Sequence, residues 1–306
     1  MKILHTTGKR DITELDYDLP KMQNNQIKIK TVMCGVCRSD VAAYAGWENP
    51  MPLGQQGHEG LGIVMEVGKE VNKKVSVGDY VSTWSDPAYG DFYYANEKEF
   101  VVVPSLDKKY ILQPTACAIN IVAKTIHYGK GIATPLLIIG SGFMSLIIGQ
   151  YLNHFKIPYI VAGSSHKEQW KKLNVNLTTV NELVEQERKF EWIIDLSSKA
   201  ENFYLIAEKL GALEALICYA ATPFTKVETN FFESCWNCHT FIMPSPRNKD
   251  FPYKMEFTKD LIVSGIIDPS EFWTCEYKRS DYNSVKKAFE DGVNRPKDYL
   301  RGYIKW

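Results

Sequence analysis

A chain of 306 residues is long enough for one large domain or two ordinary ones. With 45% hydrophobic and 24% charged residues it has the make-up of a soluble globular protein. Its 36 Lys and Arg balance 36 Asp and Glu, which removes the electrostatic case for a nucleic acid or anionic membrane partner. The start, MKILHTTGKRD, lacks the apolar core of a signal peptide, and the most apolar run, PLLIIGSGFMSLIIG, is too short and glycine-rich for a membrane span. Seven cysteines, an odd number scattered along the chain, point to reduced thiols in the cytoplasm and to metal binding before disulfides.

In chain order, the first part alternates apolar and polar residues in short runs: QIKIKTVMC, GIVMEVG, DYVSTW and EFVVVP. Gly, Pro and Asn punctuate them, the strand-and-turn pattern of a β barrel or sandwich. Near residue 114 the period changes. ACAINIVAKTIHYG puts Ile119, Val122, Ala123 and Ile126 on one helical face. PLLIIG predicts a buried strand, followed by glycines and an apolar helix over Met144 to Phe155. PYIVAG, EWIIDLS and EALICYAA predict three more buried strands, separated by helical stretches such as AENFYLIAEKLG. Strands alternating with helices predict a parallel sheet with crossover helices. From Asp281 the tail adds an amphipathic helix, SVKKAFEDG, and a last strand, RGYIKW.

LLIIGSGFMSLIIG sets Gly140 and Gly142 between a strand and a helix. Gly140 permits a tight turn, and Gly142 lets backbone N–H groups approach a pyrophosphate at the helix N-terminus. Ser145 stands where such turns carry a third glycine. The next strand, PYIVAGSSHK, is expected to end beside the adenosine ribose, where an acidic residue would hold the 2′-hydroxyl. Ser164, Ser165 and Lys167 stand there instead. Hydroxyls and a cation without a carboxylate favour NADP over NAD.

Cys37, His58 and Glu59 lie in a strand-rich segment, the latter two within GHEGLG. Thiolate and imidazole suit zinc. Taken in order, GVCRSD, GHEGLGIVMEVG, VGDYV, FVVVP and GSGFMS resemble the medium-chain dehydrogenase/reductase superfamily, in its zinc-dependent alcohol and polyol dehydrogenase branch. The resemblance covers nearly the whole chain. It implies an α/β protein: a GroES-like β-rich catalytic domain, residues 1–113 with 270–306, and a Rossmann-type doubly wound parallel-sheet domain, residues 114–269. It implies substrate in a cleft between them, and a homodimer or homotetramer. The implied reaction moves hydride between a nicotinamide cofactor and a small alcohol, polyol or sugar, with one catalytic zinc acidifying the hydroxyl.

The resemblance also assigns residues. Cys37 and His58 become zinc ligands. The third position falls in ILQPTACAIN, where Cys117 matches alcohol dehydrogenases and Gln113 replaces the Glu of polyol-type members. Glu59 resembles a carboxylate that sits near zinc and ligates it transiently. Arg38 resembles a pyrophosphate contact, as does Arg301 near the C-terminus. Ser39 would bond the substrate hydroxyl and pass its proton outward, and Asp40 would orient the His58 imidazole. The relay histidine of relatives is Ala42 here.

Several family features are missing. STWSDPAYGDFYYANEKEF holds no cysteine, so the structural zinc lobe is not expected, and KLGALEALICYAATPF carries no PGG turn. CWNCH, Cys235 to His239, has the spacing of haem attachment, but packing cysteines near a strand start is the simpler reading. Trp47, Trp84, Tyr89, Phe92 and Tyr93 are candidates to line a substrate pocket. Two other readings compete: a zinc-free enone or quinone reductase of the same superfamily, and an inactive nucleotide-binding or structural relative. The presence of Cys37 and His58 argues against the first; Gln113 and Ala42 keep the second in play.

Overall fold

The computed structural model describes residues 1–49, 51–221 and 231–306, and the chain divides into two units. The first comprises Met1–Ala116 with Pro252–Trp306, the second Cys117–Phe251.

The first unit opens with an antiparallel hairpin, β1 (Lys2–Gly8) and β2 (Asp11–Asp16). Strand β3 (Gln26–Gly35) follows, with Ile27, Ile29, Thr31 and Met33 buried at every second residue, as its alternating sequence demands. Helix α1 (Arg38–Ala45) leads to β4 (Gly60–Val67), β5 (Tyr80–Thr83), β6 (Phe92–Asn96) and β7 (Phe100–Val103). β3 pairs antiparallel with both β4 and β6, β4 with β5, and β5 with β7. The core beneath this sheet gathers Ile27, Ile29, Cys34, Val64, Val81, Tyr89, Tyr93 and Phe100.

Helix α2 (Leu112–Tyr128) begins in the first unit and ends in the second. The second unit is a βα alternation: β8 (Leu136–Ile139), α3 (Phe143–His154), β9 (Tyr159–Ala162), α4 (Lys167–Lys172), β10 (Leu177–Thr178), α5 (Val180–Glu185), β11 (Phe190–Asp195), α6 (Ala200–Leu205), β12 (Gly211–Tyr219), α7 (Phe232–Trp236) and β13 (Thr240–Ile242). All six strands are parallel, in the order β10-β9-β8-β11-β12-β13. This is the 3-2-1-4-5-6 arrangement of a dinucleotide-binding sheet, whose ligands lie at the carboxyl ends of the strands where the order reverses. LLII in β8 is buried throughout, as a central parallel strand covered on both faces must be. The apolar runs predict β8, β9, β11 and β12. β10 and β13, two and three residues long, are too short to show a period. Thr222, Pro223 and Phe224, the end of the stretch without a PGG turn, lie outside the described residues.

The chain returns to the first unit through α8 (Phe251–Val263), β14 (Trp273–Lys278), α9 (Tyr282–Asn294) and β15 (Arg301–Lys305). Within the first unit, Lys73 Nζ meets Glu256 Oε1 of α8 at 2.7 Å. α9 buries Val285, Ala288, Phe289 and Gly292, one helical face. Asp281 caps it, accepting from the Asn283 amide at 2.9 Å. β15 lies between β14, parallel, and β3, antiparallel, pairing Tyr303 with Gly35 and Ile304 with Cys34.

Candidate metal centre

The site grows from the place where β3 stops. Cys37 is the N-cap of α1, extended at φ −75° and ψ 151°, and its carbonyl accepts the Val41 amide at 3.0 Å. His58 and Glu59 occupy the turn before β4. Gly57, just ahead of them, has φ +78°, a conformation open to glycine at little cost. The Gly35 amide donates to the Glu59 carbonyl at 3.0 Å, binding that turn to the end of β3.

The result is a cluster. One ligand atom each from Cys37, His58 and Glu59 lie within 4.8 Å of one another, the one group of three such side chains among the described residues. Sulfur, imidazole nitrogen and carboxylate oxygen are a zinc donor set. Glu59 is 1% exposed, and its Oε2 has no hydrogen-bond partner among the described residues. A buried carboxylate oxygen with no donor is costly, and a divalent cation held by the cluster would satisfy it. The residues therefore fit the metal.

The electrostatics agree. Burial opposes a charged imidazole at His58, yet Cys37, Asp40 and Glu59 outweigh it and hold its pKa well above the ordinary value. So much negative charge around one ring is suited to a cation. Arg301 is also buried, and Glu59 and Cys37 keep its guanidinium charged against that burial. Its Nη2 donates to Glu59 Oε1, and its guanidinium lies 5.5 Å from the Trp273 ring. Cys34, by contrast, is fully buried, and its thiol is pushed far up by that burial and then by Glu59. It packs in the core as a neutral group.

Around the cluster, Ser39 Oγ donates to Cys37 Sγ at 3.3 Å. Arg38 donates to the Gly292 carbonyl at 3.2 Å, 4.7 Å from the Trp47 ring. Asp40 is fully buried; it accepts from the Gly57 amide at 3.5 Å and the Tyr89 hydroxyl at 3.2 Å. The carboxylate that stands at His58 Nδ1, at 4.0 Å, is Asp86. Cys117 lies half-buried on α2 and is not one of the three clustered residues; Gln113 is buried near the start of the same helix. Arg301, read from sequence as a phosphate contact, is engaged with Glu59.

In the second unit, Gly140 has φ +104°, and a Cβ there would meet the Leu196 carbonyl carbon at 3.2 Å. A Cβ on Gly142 would meet nothing within 4 Å. No side chain caps α3, so its first turn presents amides to open space. Ser141 Oγ accepts the Ser165 amide at 3.2 Å, linking this turn to the end of β9. Ser164, Ser165 and Lys167 are exposed there. The close approach expected of a third glycine occurs at Gly149, where a Cβ would lie 2.8 Å from the Trp170 ring.

Two residues that no motif marks are Asp86 and Tyr89. Nothing local singles them out, because both act across long chain separations. Tyr89 and Tyr93 are fully buried, whereas Trp84 lines a pocket of about 360 Å³ with Tyr17, Asp86 and Tyr94. Cys235 and Cys238 are exposed, not packed. Among the described residues no helix is long and apolar enough to cross a membrane.

Residues 23–103 match the alcohol dehydrogenase GroES-like domain. The chain is 38% identical over 90 residues to an alcohol dehydrogenase of Geobacillus stearothermophilus, covering 28% of this chain and 26% of that protein. It is 34% identical over 101 residues to a D-arabitol-phosphate dehydrogenase of Enterococcus avium, covering 32% and 28%. The matched segments thus span about a quarter of these relatives' length. The fold matches a short chain alcohol dehydrogenase of Escherichia coli CFT073, solved with NADH, with a TM-score of 0.79, 17% identity and coverage of 100% of this chain and 99% of that one. A GroES-like unit joined to a dinucleotide-type parallel sheet defines a class of two-unit dehydrogenase folds. Within that class, residues 23–103 carry the match to the alcohol dehydrogenase GroES-like domain, and the fold of the whole chain is that of the alcohol and polyol dehydrogenase structures it resembles.

Proposed function

We propose that this chain is a zinc-dependent oxidoreductase that transfers hydride between a nicotinamide cofactor and an alcohol, polyol or sugar. The observation that carries the reading is the cluster of Cys37, His58 and Glu59 with its unpartnered, buried Glu59 Oε2. When bound, zinc supplies Lewis-acid polarisation of the substrate oxygen. Cys37 and His58 would hold it with Cys117 as the third protein ligand, and Glu59, which clusters with the first two, as a carboxylate that can also ligate it. Three protein ligands leave a position for substrate, the pattern of a catalytic site. Ser39 Oγ, 3.3 Å from Cys37 Sγ, is placed to accept a proton from a substrate hydroxyl. Ala42 stands where relatives carry a relay histidine and has no group to pass it on, so water or another group takes it. Arg301 keeps the second Glu59 oxygen neutralised.

Gly140 and Gly142 would seat the cofactor pyrophosphate on the first turn of α3. Ser164, Ser165 and Lys167 favour the 2′-phosphate of NADP. The zero net charge and the likeness to alcohol and polyol-phosphate dehydrogenases support a small hydroxylated substrate. The protein is expected to carry one zinc per chain and to assemble as a homodimer or homotetramer, which metal analysis and light scattering read directly. Its seven cysteines, none of them in a disulfide among the described residues, suit the reducing cytoplasm.

The test compares the wild type with Cys37→Ser, screening alcohols, polyols and their phosphates by the absorbance of the reduced nicotinamide. The variant should lose metal and turnover while still binding NADPH. Wild type with turnover independent of metal would favour a zinc-free reductase instead. Nucleotide binding without turnover on any substrate would favour an inactive relative.

A further inference from the structure

Tyr89 lies wholly inside the first unit, and each part of it touches a different piece of the metal centre. Its hydroxyl is 3.2 Å from Asp40 Oδ2 and 3.2 Å from the Gly35 carbonyl. One proton serves two acceptors, and the charged carboxylate is the stronger. Its ring lies under the turn that carries His58: a Cβ on Gly57 would come within 2.5 Å of that ring. The neighbouring Ala88 amide donates to the Gly57 carbonyl at 2.7 Å, and the Tyr89 carbonyl accepts the Leu4 amide at 2.9 Å. On its other side the ring stacks on Trp306, 6.4 Å away at 8°, and meets Phe289 edge-on at 5.9 Å. The side chain is therefore fixed in place before it fixes anything else.

We propose that Tyr89 is a positioning residue of the metal centre: its hydroxyl anchors Asp40 and its ring supports the Gly57–His58 turn, so that together they set how tightly the cluster holds its ion. This rests on the reading of Cys37, His58 and Glu59 as metal ligands. Asp40 is fully buried, and beside the phenol its carboxylate accepts, among the described residues, the Gly57 amide at a long 3.5 Å. Without the phenol the carboxylate would keep only that weak bond and would turn to whatever donor is nearest. Groups behind the ligands govern affinity in this way, and their loss typically weakens binding by ~10–100-fold. Burial, and then Asp40, push the phenol's pKa far up, so it remains a donor at every working pH.

The experiment strips the protein of metal with a chelator and titrates it with Co²⁺, reading the thiolate-to-cobalt charge-transfer band. Tyr89→Phe keeps the ring and removes the hydroxyl. It should bind cobalt ~10–100-fold more weakly than wild type. Tyr93→Phe is the control: its hydroxyl is also buried, bonding Thr83 at 2.8 Å, and touches no member of the cluster. Its cobalt affinity should match wild type, although it too loses a buried hydrogen bond. Asp40→Asn should weaken binding by itself, and adding Tyr89→Phe to it should cost little more, because the two act as one unit. Equal affinities for wild type and Tyr89→Phe would overturn the proposal. So would an equal loss in Tyr93→Phe, or a full additional loss on the Asp40→Asn background. A wild type with no cobalt band at all would remove the metal reading itself, an outcome visible before any variant is compared.

Discussion

Arg301 donates to Glu59 across 242 residues of chain, and the two form an ion pair in which the carboxylate is 1% exposed. Removing one partner of a buried pair strands the other charge, at a cost of roughly 3–5 kcal/mol. Arg301→Leu should therefore lower the unfolding free energy of metal-depleted protein by about that amount in urea titrations. A loss below ~1 kcal/mol would show that Glu59 finds another counter-charge.

Gly142→Ala separates folding from cofactor binding. The residue has φ −89° and an empty neighbourhood, so a methyl group there should leave the thermal midpoint within a degree or two of wild type. It would intrude where the pyrophosphate is proposed to approach the backbone. NADPH affinity should fall by about tenfold or more, near 1.4 kcal/mol, as read by nucleotide fluorescence. Unchanged affinity would place the phosphates elsewhere.

Phe289 is fully buried between Tyr44, at 5.3 Å, and Tyr89, at 5.9 Å. Truncation to Ala should cost ~3–5 kcal/mol. Because the same ring braces Tyr89, cobalt affinity should also drop in the fraction that folds. Loss of stability with intact affinity would show that Trp306 alone suffices as the brace.

The return of the chain at α8 makes a pH prediction. Burial favours the neutral form of Glu256, yet Lys73 at 2.7 Å and Lys259 at 3.0 Å hold its pKa below the ordinary 4.5. With the folded value depressed, the unfolded chain takes up the proton first as pH falls. The contribution is full above 4.5 and is lost as pH drops through the folded value. Glu256→Gln should cost under ~1 kcal/mol at neutral pH, since the group is partly exposed, and the difference from wild type should shrink as pH falls through the depressed folded value and vanish below it. A difference that persists in acid would implicate packing.

Much of this was legible in the sequence, and the reason is locality. Gly140 and Gly142 sit between a buried strand and an apolar helix, and α9 announces itself by its spacing. His58 and Glu59 are adjacent, and family likeness supplies Cys37. Other features depend on contacts that no window spans. Asp86 meets His58 and Tyr89 meets Asp40 only because the 85–90 loop folds under the Gly57 turn. The engagement of Arg301 with Glu59 follows from β15 lying against β3. The ion pair of Lys73 with Glu256 joins residues far apart in the chain and is likewise invisible to any window.

The strand β15 occupies an inner position of its sheet, hydrogen-bonded on both sides, although it is built from residues 301–305. During synthesis the N-terminal segment therefore emerges from the ribosome with a slot at the edge of β3 and with Glu59 lacking its guanidinium. The second unit, a continuous stretch, can mature while still tethered to the ribosome. The metal-holding unit cannot close until residues 301–305 have emerged, so a nascent chain stalled before residue 301 should leave Glu59 without its guanidinium and the edge of β3 unpaired.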